Sequence, residues 1–115
     1  MSKVIVAGPR DYFDYLTVQK AIISSEFDIT ELVSGGATGV DGMGEKWAKD
    51  NSIPVKSFYA DWDKYGKSAG PIRNRQMAEY ADALIAIVPY ESRGTANMIK
   101  IAKALDLDVF IWTNQ

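Results

Sequence analysis

The chain contains Ala83-Leu84-Ile85-Ala86-Ile87-Val88, an unbroken run of apolar residues. A shorter run of the same kind, Val4-Ile5-Val6-Ala7, stands near its start. Strands of a parallel sheet are covered on both faces, so they read as continuous hydrophobic runs. We therefore expect both runs to be strands that lie at or next to the centre of a parallel sheet.

The rest of the chain alternates between strand and helix patterns. Shorter, more mixed strand candidates occupy residues 31–33, 55–59 and 109–112. Apolar residues recur at helical spacing between the strands, namely Val18, Ala21 and Ile22, then Val40, Met43, Trp47 and Ala48, and finally Met98, Ile101, Ala102 and Leu105. Gly70-Pro71 opens a further helix with proline in its first turn. Five strands alternating with four helices within 115 residues predict one α/β domain, residues 1–115, with a doubly wound sheet.

The composition excludes several kinds of chemistry. The chain has no cysteine and no histidine, which removes disulfides, thiolate or imidazole metal sites, cysteine nucleophiles and an imidazole general base. No ligand spacing supports a carboxylate metal site, so we expect neither a metal nor a cofactor. A net charge of -2 argues against a general nucleic-acid binder, although a local basic patch stays open. The absence of a long apolar run or a leader pattern predicts a soluble, cytoplasmic protein without a membrane partner.

All four arginines lie in or beside glycine-containing segments that follow a strand or open a helix: Arg10, Arg73, Arg75 and Arg93. Arginine offers a planar fork of donors that matches phosphate or carboxylate. In doubly wound sheets, ligands bind beyond the carboxyl ends of the strands, and the polar segments after the first four strands all fall at that edge. The sequence therefore predicts a cleft for an anionic ligand.

The segment after the second strand is rich in glycine and reads Ser34-Gly35-Gly36-Ala37-Thr38-Gly39-Val40-Asp41. Such a turn at a helix start presents backbone N–H groups and the positive helix end to a phosphate. The alternative is a tight turn in which Thr38 is the N-cap and Asp41 satisfies first-turn N–H groups. Asp41 is also a candidate to hold a ribose hydroxyl or to act as a base.

A second turn of this type, Ser92-Arg93-Gly94-Thr95, opens the last helix and supplies hydroxyls as well as charge. Its alternative is an N-cap with a solvated arginine. Arg73 and Arg75 are two positions apart and point to different helix faces, so at most one reaches the ligand. Arg73 is nearer the positive helix end and is the preferred candidate.

An aromatic, charged connection of unusual length occupies residues 58–67. Trp62 or Tyr65 is placed to stack on a base, and the connection to close over the cleft. Alternatively, Trp62 anchors the connection to the core. Trp47 and Trp112 occupy core-like positions, and we assign them no function.

Together these segments resemble the YspA-type, cpYpsA-related SLOG family. The resemblance rests on Gly8-Pro9-Arg10, residues 34–41, Ala60-Asp61-Trp62, residues 70–77 and residues 92–97, and it runs from Val4 to Trp112. It implies a Rossmann-like three-layer α/β/α fold with a mainly parallel sheet of strand order 3-2-1-4-5. The wider SLOG superfamily is associated with nucleotides or nucleotide-derived ligands such as ADP-ribose. It includes the Lonely Guy phosphoribohydrolases and the Smf/DprA DNA-processing proteins.

The chain departs from the Lonely Guy pattern at one decisive position. Residues 73–77 keep the arginine and the methionine of the Arg-Lys-x-x-Met segment. In the Pro-Gly-Gly-x-Gly-Thr-x-x-Glu loop, however, Met98 stands where the catalytic glutamate aligns. A thioether cannot take or give a proton, so the resemblance does not extend to phosphoribohydrolase activity by that mechanism.

Three functions follow from these observations. The first is a sensor or sequestering module for a nucleotide or an ADP-ribose-like ligand. The second is a nucleotide-processing hydrolase with Asp41, Glu45 or Asp61 as base, and the third is a DNA-processing accessory protein, which the acidic balance disfavours. A homodimer is compatible with the sequence, but no residue fixes its interface. The residues predicted to bind the ligand are Gly8, Arg10, Ser34, Gly35, Gly36, Gly39, Asp41, Trp62, Arg73, Asn74, Ser92, Arg93, Gly94 and Thr95.

Overall fold

The computed structural model, which describes residues 2–113, contains a parallel sheet of five strands. The strands are β1 (Ser2–Ala7), β2 (Ile29–Ser34), β3 (Val55–Ser57), β4 (Ala83–Val88) and β5 (Asp108–Thr113). All neighbouring strands pair in parallel, in the order β3-β2-β1-β4-β5. The predicted strand order is confirmed, and the two apolar runs form the central strand and its neighbour.

The helices are α1 (Tyr15–Ser25), α2 (Val40–Asp50), α3 (Trp62–Tyr65), α4 (Ala69–Tyr80) and α5 (Arg93–Ala104). They cover both faces of the sheet, because alternate side chains of a strand point to opposite faces. On one face Val4 and Val6 pack with buried residues of α1 and α2. On the other face Ile5 and Ala7 pack with buried residues of α4 and α5. The three-layer α/β/α architecture is therefore confirmed.

The third strand and the connection after it differ from the sequence prediction. β3 ends at Ser57, whereas the apolar pattern predicted a strand to residue 59. The connection holds the short helix α3 and a 3₁₀ turn at Gly66–Ser68. α3 forms because the Asp61 side chain accepts the Lys64 N–H at 3.1 Å and so caps it. Tyr59 and Trp62 thus leave the sheet and stand at its carboxyl edge.

The two other tryptophans pack against the core as predicted. Trp47 and Trp112 are partly buried beside the α1/α2 face of the sheet. Within residues 2–113, none of the helices has the length and apolar character needed to cross a membrane.

Candidate functional site

A cleft of about 870 Å³ lies at the carboxyl edge of the sheet. Its walls come from the segments that follow β1, β2, β3 and β4, as the position of the polar motifs predicted. The structure brings most of the predicted ligand-binding residues to this cleft, namely Gly8, Arg10, Gly35, Gly36, Asp41, Trp62, Arg73, Asn74, Ser92, Arg93, Gly94 and Thr95.

Ser34 and Gly39 do not line the cleft but shape its glycine-rich wall. Ser34 is fully buried; its hydroxyl donates to Glu45 Oε2 at 2.5 Å and accepts the Gly36 N–H at 3.1 Å. Gly39 has a φ of +69°, and a Cβ there would lie 2.5 Å from the Pro9 carbonyl oxygen. The close approach of these backbones joins the wall after β1 to the wall after β2.

Backbone N–H groups of the turn before α2 already donate to acceptors within the protein. The Ala37 N–H donates to Asp41 Oδ2 at 3.2 Å, and the Val40 N–H donates to the Pro9 carbonyl at 3.2 Å. The interpretation of Thr38 as N-cap is wrong, because Gly39 occupies that position and Thr38 Oγ1 donates to the Arg10 carbonyl at 2.9 Å. The carboxylate of Asp41 thus lies at the start of α2 and accepts an N–H group of the turn.

Asp41 is a buried carboxyl group in the cleft wall. Its side chain is only 7% exposed. Burial raises the pKa of Asp41 from 3.8 to about 6, although the Ala37 hydrogen bond and the positive charge of Arg73 oppose the rise. The neighbouring charge of Glu45 raises it further. Near neutral pH this group can both accept and release a proton.

A chain of hydrogen bonds centred on α4 ties the two glycine turns together. Arg73 donates from Nη1 to the Gly35 carbonyl at 2.5 Å and from Nε to Asn74 Oδ1 at 3.0 Å. Asn74 Nδ2 donates to Asn97 Oδ1 at 2.9 Å and to the Gly94 carbonyl at 3.4 Å. Asn74 is therefore occupied by protein partners on both ends of its amide. Its geometric role is to hold the start of α5 against the turn after β2.

Of the other three arginines, two line the cleft and one lies outside it. Arg10 and Arg93 are exposed, line the cleft and take part in none of the ion pairs found among residues 2–113. Arg75 pairs with Glu79 at 3.4 Å on the exposed face of α4. The two cleft arginines are thus available to an anion.

The first backbone N–H groups of α5 precede its first intrahelical hydrogen bond. The first intrahelical bond runs from the Ala96 N–H to the Ser92 carbonyl at 2.9 Å, and the Ser92 side chain does not cap the helix. Thr95 is 3% exposed, and its hydroxyl has no hydrogen-bond partner within residues 2–113. A buried hydroxyl without a partner is rare in folded proteins, so this one needs an explanation.

An aromatic wall closes the side of the cleft that follows β3. Tyr59 is 71% exposed and its ring lies over Gly36, while Trp62 is 55% exposed and stands next to Gly70. Trp62 therefore lies at the cleft and is not buried in the core. The sequence interpretation missed Tyr59, Lys67 and Asn97, which also line the cleft. Tyr59 stands two positions after the end of β3, and the rule that ligands bind beyond the carboxyl ends of the strands offered a signal for it.

Only one of the three candidate bases reaches the cleft. Glu45 accepts the Ser34 hydroxyl and borders a separate, shallow depression between α2 and β3. Asp61 caps α3 and does not line the cleft. The described part of the chain holds no group of acidic side chains arranged to bind a metal ion.

Two known proteins resemble this chain over most of its length. It is 29% identical over 119 residues to Gene 61 protein of Mycobacterium phage D29, and the alignment covers 95% of this chain and 94% of that protein. The X-ray structure of DNA processing protein A (DprA) from Streptococcus pneumoniae superposes with a TM-score of 0.76 at 23% identity, over 95% of this chain and 49% of DprA. The chain spans about half the length of DprA, and this likeness shows a shared fold.

The family model of the YspA, cpYpsA-related SLOG family (YAcAr) matches residues 2–65, which is more than half of the chain. The match includes three walls of the cleft: the segment after β1, the glycine-rich turn after β2 and the aromatic wall of Tyr59 and Trp62 after β3. The chain therefore belongs to the YspA, cpYpsA-related SLOG family.

Proposed function

We propose that the cleft binds a nucleotide or nucleotide-derived ligand, with its phosphate at the start of α5, and that the protein acts as a sensor or sequestering module. The observation that carries the proposal is the buried hydroxyl of Thr95, a residue that lines the cleft; this hydroxyl has no partner within residues 2–113. A buried donor left unpaired costs about 1–3 kcal/mol, so its retention points to a ligand that supplies the partner.

The surroundings of Thr95 suit a phosphate. The N–H groups of Arg93, Gly94 and Thr95 lie before the first intrahelical bond of α5, a helix of 12 residues. These donors and the positive end of the helix favour an anion. Arg93 on the same turn and Arg10 on the neighbouring loop supply mobile positive charge. A phosphate here would satisfy all of these groups together.

The start of α2 is the poorer phosphate site. Asp41 stands there, and the N–H groups of Gly36, Ala37 and Val40 already donate to protein acceptors. A negative carboxylate repels a phosphate at close range in a buried site. The two glycine turns look alike in sequence, but in this proposal only the turn at the start of α5 binds the phosphate.

The base of the ligand has a platform on the opposite side. Tyr59 and Trp62 are exposed aromatic rings at the cleft wall, and stacking on such rings contributes about 1–3 kcal/mol per base. A ligand that joins a phosphate to a base uses both ends of the cleft. Nucleoside phosphates and ADP-ribose-like molecules have this combination.

Replacing Thr95 by valine is the first test. Thr95→Val removes the unpaired hydroxyl but keeps the branched shape, so we expect the free protein to become more stable by about 1–3 kcal/mol. The same change should weaken binding of the ligand, because one phosphate donor is lost. Urea denaturation of the free protein and calorimetric titration with ligand measure the two effects.

The matched control is Thr38→Val. Thr38 donates to the Arg10 carbonyl, so this change should destabilise the free protein by about 0.5–1.5 kcal/mol. If Thr95→Val is destabilising like the control, the hydroxyl has a partner in the free protein, and the argument for a phosphate at α5 is lost.

A thermal-shift screen identifies the ligand class. We expect a shift with at least one of AMP, ADP, ADP-ribose, NAD and ribose phosphates, since a ligand at a hundred times its Kd stabilises the fold by about 2.7 kcal/mol. Arg93→Ala should weaken that ligand by about 1–3 kcal/mol, the scale of a charge-assisted hydrogen bond. Arg75→Ala, which removes an arginine outside the cleft, should leave the affinity unchanged. Equal affinities of both variants and the native protein would argue against the anion cleft.

Asp41 favours a second candidate function, nucleotide hydrolysis. It is the one carboxyl group among the three candidate bases that lines the cleft, and burial brings its pKa to about 6. A general base or acid works best with a pKa near the working pH. Met98, by contrast, is buried beside the cleft and has no proton to exchange. Mass spectrometry of each mixture in the screen would show a released base or sugar phosphate if the protein cleaves its ligand.

A DNA-processing accessory role is the least supported of the three. The fold shared with DprA favours this role, whereas the net charge of -2 opposes binding to a polyanion. A steep loss of DNA affinity with rising salt would be the evidence in its favour.

A further inference from the structure

The chemical groups along the cleft follow the order of the strands. The aromatic wall of Tyr59 and Trp62 follows β3, Asp41 lies on the segment after β2, Gly8 follows β1, and Thr95 lies on the segment after β4. Because the sheet order is β3-β2-β1-β4, these groups form a row across the sheet. A ligand that crosses the strands meets rings, then a carboxylate, then bare backbone, then phosphate donors.

The carboxylate of Asp41 has a free acceptor that opens to the cleft. Its Oδ2 accepts the Ala37 N–H, whereas no donor within residues 2–113 bonds to Oδ1. Arg73 lies near Asp41 but donates no hydrogen bond to Oδ1. A Cβ built on Gly35 would be 2.6 Å from Arg73 Nη1 and 2.8 Å from Asp41 Oδ2, so the two side chains are neighbours. The guanidinium nevertheless donates to the Gly35 carbonyl and to Asn74. Thr95 Oγ1 is the one buried side-chain polar atom without a partner within residues 2–113, so Asp41 Oδ1 is open to the cleft, where the donor of a ligand can bond to it.

The phosphate at α5 is too far away to be that partner, and it carries the wrong charge. Neighbouring strands are about 4.8 Å apart, so the segments after β2 and β4 are separated by two spacings, about 10 Å. A phosphate also has no donor to offer when it is ionised. A partner that the same ligand supplies to Asp41 is therefore a different part of that ligand, one that carries O–H or N–H groups.

We propose that Asp41 accepts hydrogen bonds from the sugar hydroxyls of a ribonucleoside diphosphate, which lies across the strands with its base on Tyr59 and Trp62 and its phosphates at the start of α5. This assignment rests on the function proposed above and adds the middle of the ligand to its two ends. The sugar lies between base and phosphate in such a molecule, as Asp41 lies between the aromatic wall and Thr95. Three strand spacings, about 14 Å, favour a diphosphate over the shorter monophosphate.

The assignment makes Asp41 a specificity residue. A site that is built to hydrogen-bond a hydroxyl rejects the analogue without it, because the buried polar group then stays unpaired. ADP should therefore bind better than 2′,3′-dideoxy-ADP, which keeps the base and both phosphates. A hydrogen bond to a charged group corresponds to a difference of about 10- to 100-fold in Kd.

Calorimetric titration at pH 8, where Asp41 is ionised, tests the proposal with ADP, 2′,3′-dideoxy-ADP and pyrophosphate. We expect the native protein to prefer ADP over the dideoxy analogue by about 10- to 100-fold. In Asp41→Asn this preference should fall several-fold, because the acceptor is no longer charged. The control Asp63→Asn removes an exposed carboxylate of α3 that does not line the cleft, and it should keep the native preference.

The outcomes separate this inference from the function on which it rests. Equal Kd values for ADP and the dideoxy analogue, with pyrophosphate bound and weakened by Thr95→Val, would overturn the role of Asp41 and keep the phosphate site. A preference that Asp41→Asn leaves unchanged would assign the hydroxyls to another residue and also overturn it. If neither ADP nor pyrophosphate binds, both proposals fall.

Discussion

Gly39→Ala is expected to destabilise the protein by about 3–5 kcal/mol. Gly39 is the N-cap of α2 with φ 69° and ψ -127°, a backbone conformation that residues with a Cβ rarely adopt. A Cβ would also lie 2.5 Å from the Pro9 carbonyl oxygen and 2.5 Å from the Arg10 carbonyl carbon. Both contacts are with backbone, so relief requires the wall after β1 to separate from the wall after β2. Urea denaturation measures the loss.

The matched control is Gly42→Ala, three positions along the same segment. Gly42 lies inside α2, and the nearest atom to its Cβ position is the Ala37 carbonyl oxygen at 3.8 Å. Alanine there should stabilise the protein by about 0.5–1 kcal/mol, because it favours the helix. Opposite signs of the change in unfolding free energy for the two variants would support the backbone clash as the cause of the loss at Gly39. A loss below about 1 kcal/mol for Gly39→Ala would show that the two walls need no close contact.

The sheet could be predicted because its central strands have a strong one-dimensional pattern. The apolar runs at residues 83–88 and 4–7 admit few interpretations, and they form β4 and β1 at the centre of the sheet. The edge strand β3 has a weaker pattern, with exposed residues and only three positions. Tertiary contacts decide where such a strand ends, so residues 58–59 were wrongly included.

The gathering of the site could also be predicted, because the carboxyl ends of parallel strands share one edge. What each residue does there depends on contacts between distant parts of the chain. Arg73 reaches the Gly35 carbonyl across 38 positions, and Asn74 reaches Asn97 across 23. The Ser34 hydroxyl likewise donates to Glu45, eleven positions along the chain, and does not line the cleft. No local pattern distinguishes a side chain that is already occupied from one that waits for a ligand.

The two glycine turns show this limit most clearly. Both follow a strand and open a helix, and the sequence suggests a phosphate at either. The turn before α2 contains its own anion, Asp41, which accepts the Ala37 N–H. The turn before α5 carries Glu91, an exposed residue that does not line the cleft, and it leaves the Thr95 hydroxyl without a partner in the described part of the chain. A phosphate is therefore better placed at α5, and a donor group better placed at α2.

Asp41→Asn is expected to stabilise the free protein at pH 8 by up to about 3 kcal/mol. Burial raises the pKa of Asp41 from 3.8 in the unfolded chain to about 6 in the folded one. Between these values the folded state holds a proton that the unfolded state has released, so this group lowers stability as pH rises. The penalty is complete above about pH 6 and absent below the unfolded value. Asparagine keeps an acceptor for the Ala37 N–H but carries no charge to bury.

Urea denaturation at pH 4, 6 and 8 measures the difference between Asp41→Asn and the native protein. We expect the two proteins to be nearly equal at pH 4 and the variant to gain its full advantage at pH 8. Asp63→Asn, which removes an exposed carboxylate, controls for the change in net charge and should show no such rise. A constant difference between variant and native protein at all three pH values would mean that the Asp41 carboxyl is not held in a desolvated site. Its proposed use, as an acceptor for sugar hydroxyls or as a base, would then lose the electrostatic argument that supports it.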